Sequence, residues 1–325
     1  MTAETKKILI TGALGQIGTE LTKRLREQHD SETIIASDIK EPQSSASEAG
    51  PYEIIDVTDA EALVNVIRKY GINTIYHMAA ILSATGEKKP QLAWDVNMNG
   101  THNILEIARE LDLDRIFIPS SIAVFGPETP QDNTPQDTVL LPKTIYGVTK
   151  VAGELLAEYY VKRFNLDVRG CRYPGIISHE TLPGGGTTDY AVSIFYEAVK
   201  HRKYTCFLKE DTRLPMMYMP DCLKATLDLM EAAADRLFHF AGFNISAMSF
   251  TPAELAAEIK KHIPDFSISY EPDSRQDIAD TWPKTIDDSA ARKEWGWTPD
   301  YDLESMTEDM IKILSKRHSE GRLNG

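Results

Sequence analysis

The hydrophobic residues of this chain fall into short β-rich runs, separated by longer stretches in which apolar positions recur with helical spacing. The first run, residues 7–11, ends at Thr11-Gly12, and a helical pattern begins near Gln16 with Leu21 and Leu25 on one face. Similar runs cover residues 33–37, 52–57, 74–78, 115–119 and 167–171, and helical patterns cover residues 94–111 and 146–164. This alternation predicts a doubly wound α/β fold, a parallel sheet with helices on both faces.

The rhythm changes after Pro174. A run of glycines at 184–186 indicates a loop, residues 215–219 are interpreted as irregular, and residues 237–241 are predicted to form a strand. Helices are predicted over residues 189–200, 220–234, 252–262 and 303–316. We therefore predict a cofactor-binding domain over residues 1–173 and about 214–242. Residues 174–213 and 243–325 are expected to form a smaller, discontinuous substrate-binding lobe.

Composition and charge narrow the class of function. The 325 residues carry a formal net charge of −14, which argues against binding to nucleic acid or to an anionic membrane surface. No apolar run is long enough for a transmembrane helix, and a strand at residue 7 leaves no room for a leader, so a cytoplasmic location is expected. Cys171, Cys206 and Cys222 lack metal-ligand spacing, so we expect buried thiols and no metal site.

Three glycines follow the first predicted strand at three-residue spacing. Gly12 would permit a tight turn, Gly15 would let backbone N–H groups approach a pyrophosphate, and Gly18 would let the helix pack closely on the strand. Asp38 ends the second predicted strand, where a carboxylate can hold both ribose hydroxyls and would repel a 2′-phosphate. The arrangement predicts a Rossmann dinucleotide site that prefers NAD, although Lys40 leaves NADP open as an alternative.

Other residues are expected to contact the same cofactor. Gln16 and Ile17 begin the helix whose N-terminus faces the phosphates, and Ala79 follows the fourth predicted strand. Asp56 and Val57 end the third predicted strand, where they could meet the adenine. Asp56 could equally cap the helix that follows.

A tyrosine and a lysine suggest the catalytic chemistry. Tyr146 and Lys150 are four residues apart, which places both side chains on one face of a helix. A phenol is a poor base at neutral pH, but a neighbouring ammonium and a positive nicotinamide ring would favour the phenolate. Alone, this pair is also typical of a solvated helix face. Ser121, at the end of the preceding predicted strand, supplies the third group.

The combination of Ser121, Tyr146 and Lys150 resembles the extended short-chain dehydrogenase/reductase family. The resemblance implies that these three residues act together, with Tyr146 as general base, and that Ser120 packs or caps. It also implies that Asn97 and Tyr173 lie beside the cofactor, although Asn97 could simply be a buried amide. A homodimer built on the Tyr146 helix and the neighbouring helix is implied as well.

Within that family the chain is similar to the L-threonine 3-dehydrogenases, notably at residues 80–83, 178–180, 182–191, 214–221 and 278–283. The resemblance implies NAD-dependent oxidation of L-threonine to 2-amino-3-ketobutyrate. Ser83 and Thr187 are candidates for holding the substrate carboxylate or ammonium, with turn capping or loop solvation as the alternative. Arg172 could bind a carboxylate, but an ion pair is the favoured role.

Two other interpretations stay open at this point. A sugar-nucleotide epimerase or reductase could use the same fold, since fold does not decide substrate. It would need cationic groups for a second diphosphate, whereas the 184–188 loop offers small groups and hydroxyls. A non-catalytic NAD-sensing protein would have no need of the serine, tyrosine and lysine, which are all present.

Overall fold

A parallel sheet forms the centre of the molecule in the computed structural model, which describes residues 6–42, 49–182 and 184–323. Its seven-strand path contains the alternating segments predicted in the first half of the chain. The strands, numbered in chain order, are β1 (Ile8–Thr11), β2 (Ile34–Asp38), β3 (Tyr52–Ile54), β4 (Thr74–His77), β5 (Arg115–Phe117), β6 (Ser120–Ser121), β7 (Val168–Tyr173), β8 (Gly175–Ile177), β9 (Lys203–Cys206), β10 (Leu214–Tyr218), β11 (Ala241–Asn244), β12 (Met248–Phe250) and β13 (Ser267–Tyr270).

The helices occupy most of the chain between these strands. They are α1 (Gln16–Gln28), α2 (Ala60–Tyr70), α3 (Ser83–Lys88), α4 (Pro90–Trp94), α5 (Gly100–Glu110), α6 (Ile145–Phe164), α7 (Tyr190–His201), α8 (Met219–Glu231), α9 (Pro252–His262), α10 (Ser274–Ala279), α11 (Ser289–Trp295) and α12 (Leu303–Ser319). No helix within the described ranges is both long and apolar enough to cross a membrane.

The sheet is covered on both faces, as the sequence predicts. Its order is β11-β7-β5-β4-β1-β2-β3, all neighbours are parallel, and β6 pairs alongside β7. In β1 the alternation of strand side chains sends Ile8 and Ile10 into one core and Leu9 into the other. The first core is closed by α1 and α8, and the second by α2, α5 and α6. The predicted doubly wound fold is confirmed.

The order of strands also locates the cleft. After β1 the chain moves outward to β2 and β3, and it then returns to the other side of β1 as β4. Such a reversal leaves a crevice outside the carboxyl ends of the strands, where open α/β sheets bind their ligands. In this protein the crevice lies beyond Thr11 and His77, the last residues of β1 and β4.

A second body of structure covers the crevice. It contains a three-stranded sheet in the order β12-β10-β8 and a parallel pair formed by β9 and β13. Helices α7, α9 and α12 pack together in its core, which also includes Tyr146 and residues 122–125. The predicted division of the chain into two domains stays a prediction.

The prediction that residues 215–219 are irregular was wrong. Leu214–Tyr218 is the buried central strand β10 of the three-stranded sheet. Pro215 suggested a break because proline cannot donate to a ladder. Its pairing with β8, however, begins at Met216, so no bond to β8 is lost.

The strand predicted over residues 237–241 was also misplaced, because β11 begins only at Ala241. The preceding residues form a 3-10 turn at Ala234–Arg236. The N–H groups of Phe238 and His239 then donate to the carboxylate of Glu294 instead of to a neighbouring strand.

The helix predicted over residues 94–111 is divided. Helix α4 ends at Trp94, a π-helical segment covers Asp95–Asn99, and α5 begins at Gly100. Such π-helical turns are frequent at functional sites. The helix predicted over 220–234 ends at Glu231. The other helices predicted in the second half begin and end within about three residues of the observed ones.

Candidate functional site

The crevice at the carboxyl edge of the sheet opens into a cleft of about 1020 Å³. Its walls come from the β1–α1 turn, the ends of β6 and β7, helix α6 and the 186–189 segment. Eleven residues proposed from the sequence line it: Gly12, Gly15, Gln16, Ile17, Gly18, Ser83, Ser121, Tyr146, Lys150, Tyr173 and Thr187.

The turn between β1 and α1 and the start of α1 have no room for a side chain at Gly12 or Gly18. Gly12 has φ +66°, and a Cβ there would lie 2.6 Å from the backbone nitrogen of Ala79. A Cβ on Gly18 would lie 2.2 Å from the Gly12 carbonyl oxygen. Helix α1 begins after Gly15, whose lack of a side chain leaves the first N–H groups of the helix accessible to an anion. This cradle fits a dinucleotide pyrophosphate. Ala79 lies behind it, against Gly12.

Asp38 ends β2 beside this cradle. One carboxylate oxygen accepts a hydrogen bond from the Leu14 N–H at 3.1 Å, and the other accepts from the Lys40 N–H at 3.3 Å. These bonds hold the carboxylate at the edge of the glycine turn, where a ribose would follow the pyrophosphate. Lys40 is exposed, and its described contact with Asp38 is through the backbone.

Asp56 and Val57 are outside the set of residues that line the cleft. Asp56 is exposed, and its carboxylate accepts hydrogen bonds from the backbone and hydroxyl of Thr58. Helix α2 is capped by Asp59, whose carboxylate accepts from Ala62, so Asp56 stabilises the turn before the cap. Val57 is buried. Contact of either residue with an adenine ring stays a prediction.

Asn97 lies in the π-helical segment and is buried. Its amide oxygen accepts from the Ile81 N–H at 2.8 Å, and its amide nitrogen donates to the Ile81 carbonyl at 3.0 Å and to the Thr149 hydroxyl at 3.2 Å. These bonds hold the segment after β4 against helix α6. The buried-amide interpretation therefore describes its contacts, and direct cofactor contact stays a prediction.

The serine, tyrosine and lysine meet in the cleft. Helix α6 begins at Ile145, with the Thr144 hydroxyl capping it by accepting from the Gly147 N–H, so Tyr146 lies in the first turn. Lys150, one turn later, has its Nζ 5.6 Å from the centre of the Tyr146 ring and donates to the Pro119 carbonyl at 2.6 Å. Ser121 lies close enough to the Tyr146 phenol to lower the pKa of that group.

Burial shifts the pKa values of these groups in opposite directions. Burial raises the pKa of Tyr146 to about 12, and the side chain of Ser121 opposes that rise. Burial lowers the pKa of Lys150 to about 8, and the negative charge of Glu154 opposes that fall. In the protein alone the phenol is therefore protonated at neutral pH, and a bound positive charge is needed to favour the phenolate.

The second polar group of the cleft consists of Ser83 and Thr187. Both are buried, and their hydroxyl oxygens are 3.4 Å apart although they are 104 positions apart in the chain. Next to them the Asp189 carboxylate accepts from the Gly185 N–H at 3.0 Å and the Gly186 N–H at 2.7 Å, which fixes the glycine loop. The two hydroxyls can donate to a carboxylate or accept from an ammonium.

Some residues of the cleft were not proposed from the sequence. Trp282, Met78 and Ile176 add apolar surface, and Trp282 is 6% exposed. No spacing or periodicity marked Trp282. The resemblance of residues 278–283 to a known subgroup was the one signal that could have found it. Gln16 was predicted to contact the cofactor. In the structure its amide donates a hydrogen bond to the Ile176 carbonyl at 3.3 Å.

The ion-pair interpretation of Arg172 is confirmed. Its guanidinium donates to both carboxylate oxygens of Glu154, at 2.9 and 2.8 Å, and each side chain is 8% exposed. Arg172 also donates to the Gln136 carbonyl and the Asn244 side chain, so its hydrogen-bonding capacity is directed away from the substrate.

Comparison with known proteins agrees with this geometry. The model of the NAD dependent epimerase/dehydratase family matches residues 8–244. An uncharacterized epimerase/dehydratase of Staphylococcus haemolyticus is 52% identical over 314 residues, 96% of this chain and 98% of that protein.

Two solved structures are similarly close. The L-threonine dehydrogenase of Cupriavidus necator, in its holo form, is 52% identical with a TM-score of 0.93, over 95% of this chain and 99% of that chain. A monomeric L-threonine 3-dehydrogenase from a metagenome is 51% identical with a TM-score of 0.92, over 95% and 99%. Both of these structural relatives are L-threonine dehydrogenases.

Proposed function

The chain belongs to the NAD-dependent epimerase/dehydratase family. Within that family, we propose that it oxidises L-threonine at C3 to 2-amino-3-ketobutyrate. Its cofactor is NAD. The observation that carries the proposal is the cleft itself, which brings Ser121, Tyr146 and Lys150 together with the buried hydroxyls of Ser83 and Thr187.

The charge of the cleft favours a small substrate over a sugar nucleotide. Within the described part of the chain, Lys150 is the one basic side chain among the cleft-lining residues, and it lies at the catalytic end. A second diphosphate would require further cationic groups, because phosphate oxygens are recognised by arginine and lysine. A zwitterionic amino acid needs a few neutral hydrogen-bonding groups, which Ser83 and Thr187 supply.

The chain's own residues account for the movement of the proton. Ser121 donates to the C3 hydroxyl oxygen of threonine and so orients the hydroxyl proton toward Tyr146. The Tyr146 phenolate accepts that proton as the C3–H bond breaks. When bound, NAD would supply the acceptor for the C3 hydride, and its positively charged ring would lower the pKa of Tyr146. The Lys150 ammonium stabilises the phenolate and holds the ribose, while the Gly12–Gly18 cradle and Asp38 hold the rest of the dinucleotide.

A substrate panel tests the proposal. Absorbance at 340 nm is followed with NAD and, in separate reactions, L-threonine, L-serine, 3-hydroxybutyrate and UDP-sugars. We expect NADH to form with L-threonine at a far higher rate than with the other compounds. Turnover of a UDP-sugar without NADH formation from L-threonine would contradict the proposal and favour the epimerase or reductase alternative.

We also propose that the protein is a homodimer that pairs through α6. Several apolar side chains of this helix point to solvent, including Leu155 at 65% and Tyr159 at 53% exposure. Exposed apolar surface of this kind favours association. Light scattering of the purified protein tests the state, with L155E as the variant expected to give monomers. A monomer at micromolar concentration would contradict the proposal, and the metagenomic relative is a monomer.

A further inference from the structure

Helix α6 carries a third buried polar group in line with its two catalytic ones. Tyr146, Lys150 and Glu154 are spaced by four residues and therefore follow one face of the helix. Glu154 is 7% exposed, which is rare for a glutamate unless its charge is paired. It is absent from the lining of the substrate cleft. Its position is therefore behind Lys150, one turn farther along the helix.

The Glu154 carboxylate accepts hydrogen bonds from two neighbouring strands. It accepts one hydrogen bond from the hydroxyl of Ser120 on β6 and two from the guanidinium of Arg172 on β7. The third neighbour is β11, where a Cβ on Gly242 would lie 2.8 Å from the Glu154 carboxyl carbon. A glycine at that position lets the carboxylate approach the sheet.

These contacts lie next to the hydrogen-bond partner of Lys150 and next to Ser121 and Tyr173. Ser120 lies between Pro119, whose carbonyl accepts from Lys150, and Ser121. In the register of β6 with β7, Ser120 pairs with Arg172 and Ser121 pairs with Tyr173, which lines the cleft. A single carboxylate thus holds the residues immediately next to Ser121 and Tyr173.

We propose that Glu154 is a positioning residue that keeps Lys150 in its charged form and fixes the strand bearing Ser121. The proposal adds a fourth side chain to the serine, tyrosine and lysine. Its turnover test rests on the proposed function, whereas its effect on Lys150 can be measured without substrate or cofactor.

The charges around Lys150 set the direction of the expected effect. Burial lowers the pKa of Lys150, and Glu154 raises it. The other groups that face this end of α6 are Tyr146, the Arg172 guanidinium and His77 on β4, whose pKa burial lowers to about 3, so that it is neutral. Removing the charge of Glu154 would leave Arg172 as an unpaired cation. The pKa of Lys150 must then fall.

The first test measures Lys150 in the free protein. The rate at which acetic anhydride acylates Lys150 is followed against pH by mass spectrometry. We expect a midpoint near pH 8 in the wild type and a midpoint lower by about 1 unit in E154Q, the size of effect that one close charge produces. The double variant E154Q/R172Q, which lacks both charges, should recover part of that shift.

The second test measures turnover of L-threonine against pH. If the pKa of Lys150 is lower in E154Q, the pH at which kcat/KM declines on the alkaline side should be lower by the same number of pH units as the labelling midpoint. If the labelling midpoint moves while no protein turns over threonine, the proposed function fails and the role of Glu154 stands. An unchanged midpoint in a folded E154Q would overturn the role of Glu154 whatever the substrate.

Glu294 supplies a matched control. It is 5% exposed and accepts hydrogen bonds from Phe238 and His239, but it does not line the cleft. E294Q should lower the melting temperature without moving the Lys150 midpoint, and a midpoint that moved equally in E294Q would overturn the proposal. If E154Q alone does not fold, the double variant decides, because a midpoint equal to that of the wild type would also overturn it.

Discussion

The cofactor end and the substrate end of the cleft are built in different ways. The proposed cofactor end is mostly backbone from one short stretch, Gly12 to Gly18, with the carboxylate of Asp38 beside it. The proposed substrate end consists of side chains from separate elements that line the cleft: Ser83 on α3, Thr187 in the glycine loop and Trp282 after α10. A local stretch can be recognised from its spacing in a sequence, whereas no spacing connects residues that only folding brings together. The two ends should also respond differently to substitution.

Replacing Tyr146 with Phe should have the largest effect and separate chemistry from cofactor binding. The variant keeps the ring but loses the proton acceptor, so kcat should fall about 100- to 10,000-fold, the usual range for a positioned acid or base. The dissociation constant for NAD, measured by calorimetry, should change less than about threefold. Y159F, on the exposed face of the same helix, is the control. Near-normal turnover of Y146F would remove Tyr146 from the mechanism.

Replacing Gly18 with Ala should lower both the stability of the protein and its affinity for NAD. The new Cβ would lie 2.2 Å from a backbone oxygen, so α1 must move away from β1. We expect a loss of about 1–3 kcal/mol in the free energy of unfolding and at least about a 10-fold loss of NAD affinity. G153A is matched, because a Cβ there meets nothing within 4 Å. Equal effects of both variants on NAD affinity would refute the close-packing argument.

Replacing Asp38 with Asn tests the carboxylate at the proposed cofactor end. The amide should weaken NAD binding by about 10-fold, because hydrogen bonds to a charged acceptor are worth about 1.5–3 kcal/mol. The loss of repulsion should at the same time narrow the preference for NAD over NADP. The ratio of kcat/KM for the two cofactors checks this. A ratio unchanged from wild type would mean that Asp38 does not face the ribose.

Removing one hydroxyl at the substrate end should have the smallest effect. S83A and T187A should each raise the KM for L-threonine about 3- to 10-fold, because one neutral hydrogen bond contributes about 0.5–1.5 kcal/mol. NAD affinity should not change, in contrast to G18A. S246A, whose hydroxyl donates to a backbone carbonyl outside the cleft, is the control. A larger effect on NAD than on threonine would show that the two ends are not separate.

The same contrast explains which parts of the fold and of the site could be predicted from the sequence. The central strands and the Tyr146 helix depend on local periodicity, and they were predicted within a few residues. Strand β10 was missed because Pro215 marks a break unless its neighbour β8 is known. The ion pair of Arg172 was expected, but its partner Glu154 was not named, because nothing in the sequence connects a residue of α6 with one of β7. Ser120 was likewise not connected with this carboxylate, because the register of β6 with β7 brings it there.

Gln16 connects the two ends of the cleft. It is the first residue of α1, next to the phosphate cradle, and its amide also donates to the Ser178 hydroxyl beyond β8 at 3.1 Å. If a dinucleotide displaces α1, this hydrogen bond would transmit the movement to the part of the structure that carries the proposed substrate pocket. Mutual coupling of this kind is reciprocal in free energy. The factor by which NAD tightens the hold on the amino acid must equal the factor by which the amino acid tightens the hold on NAD.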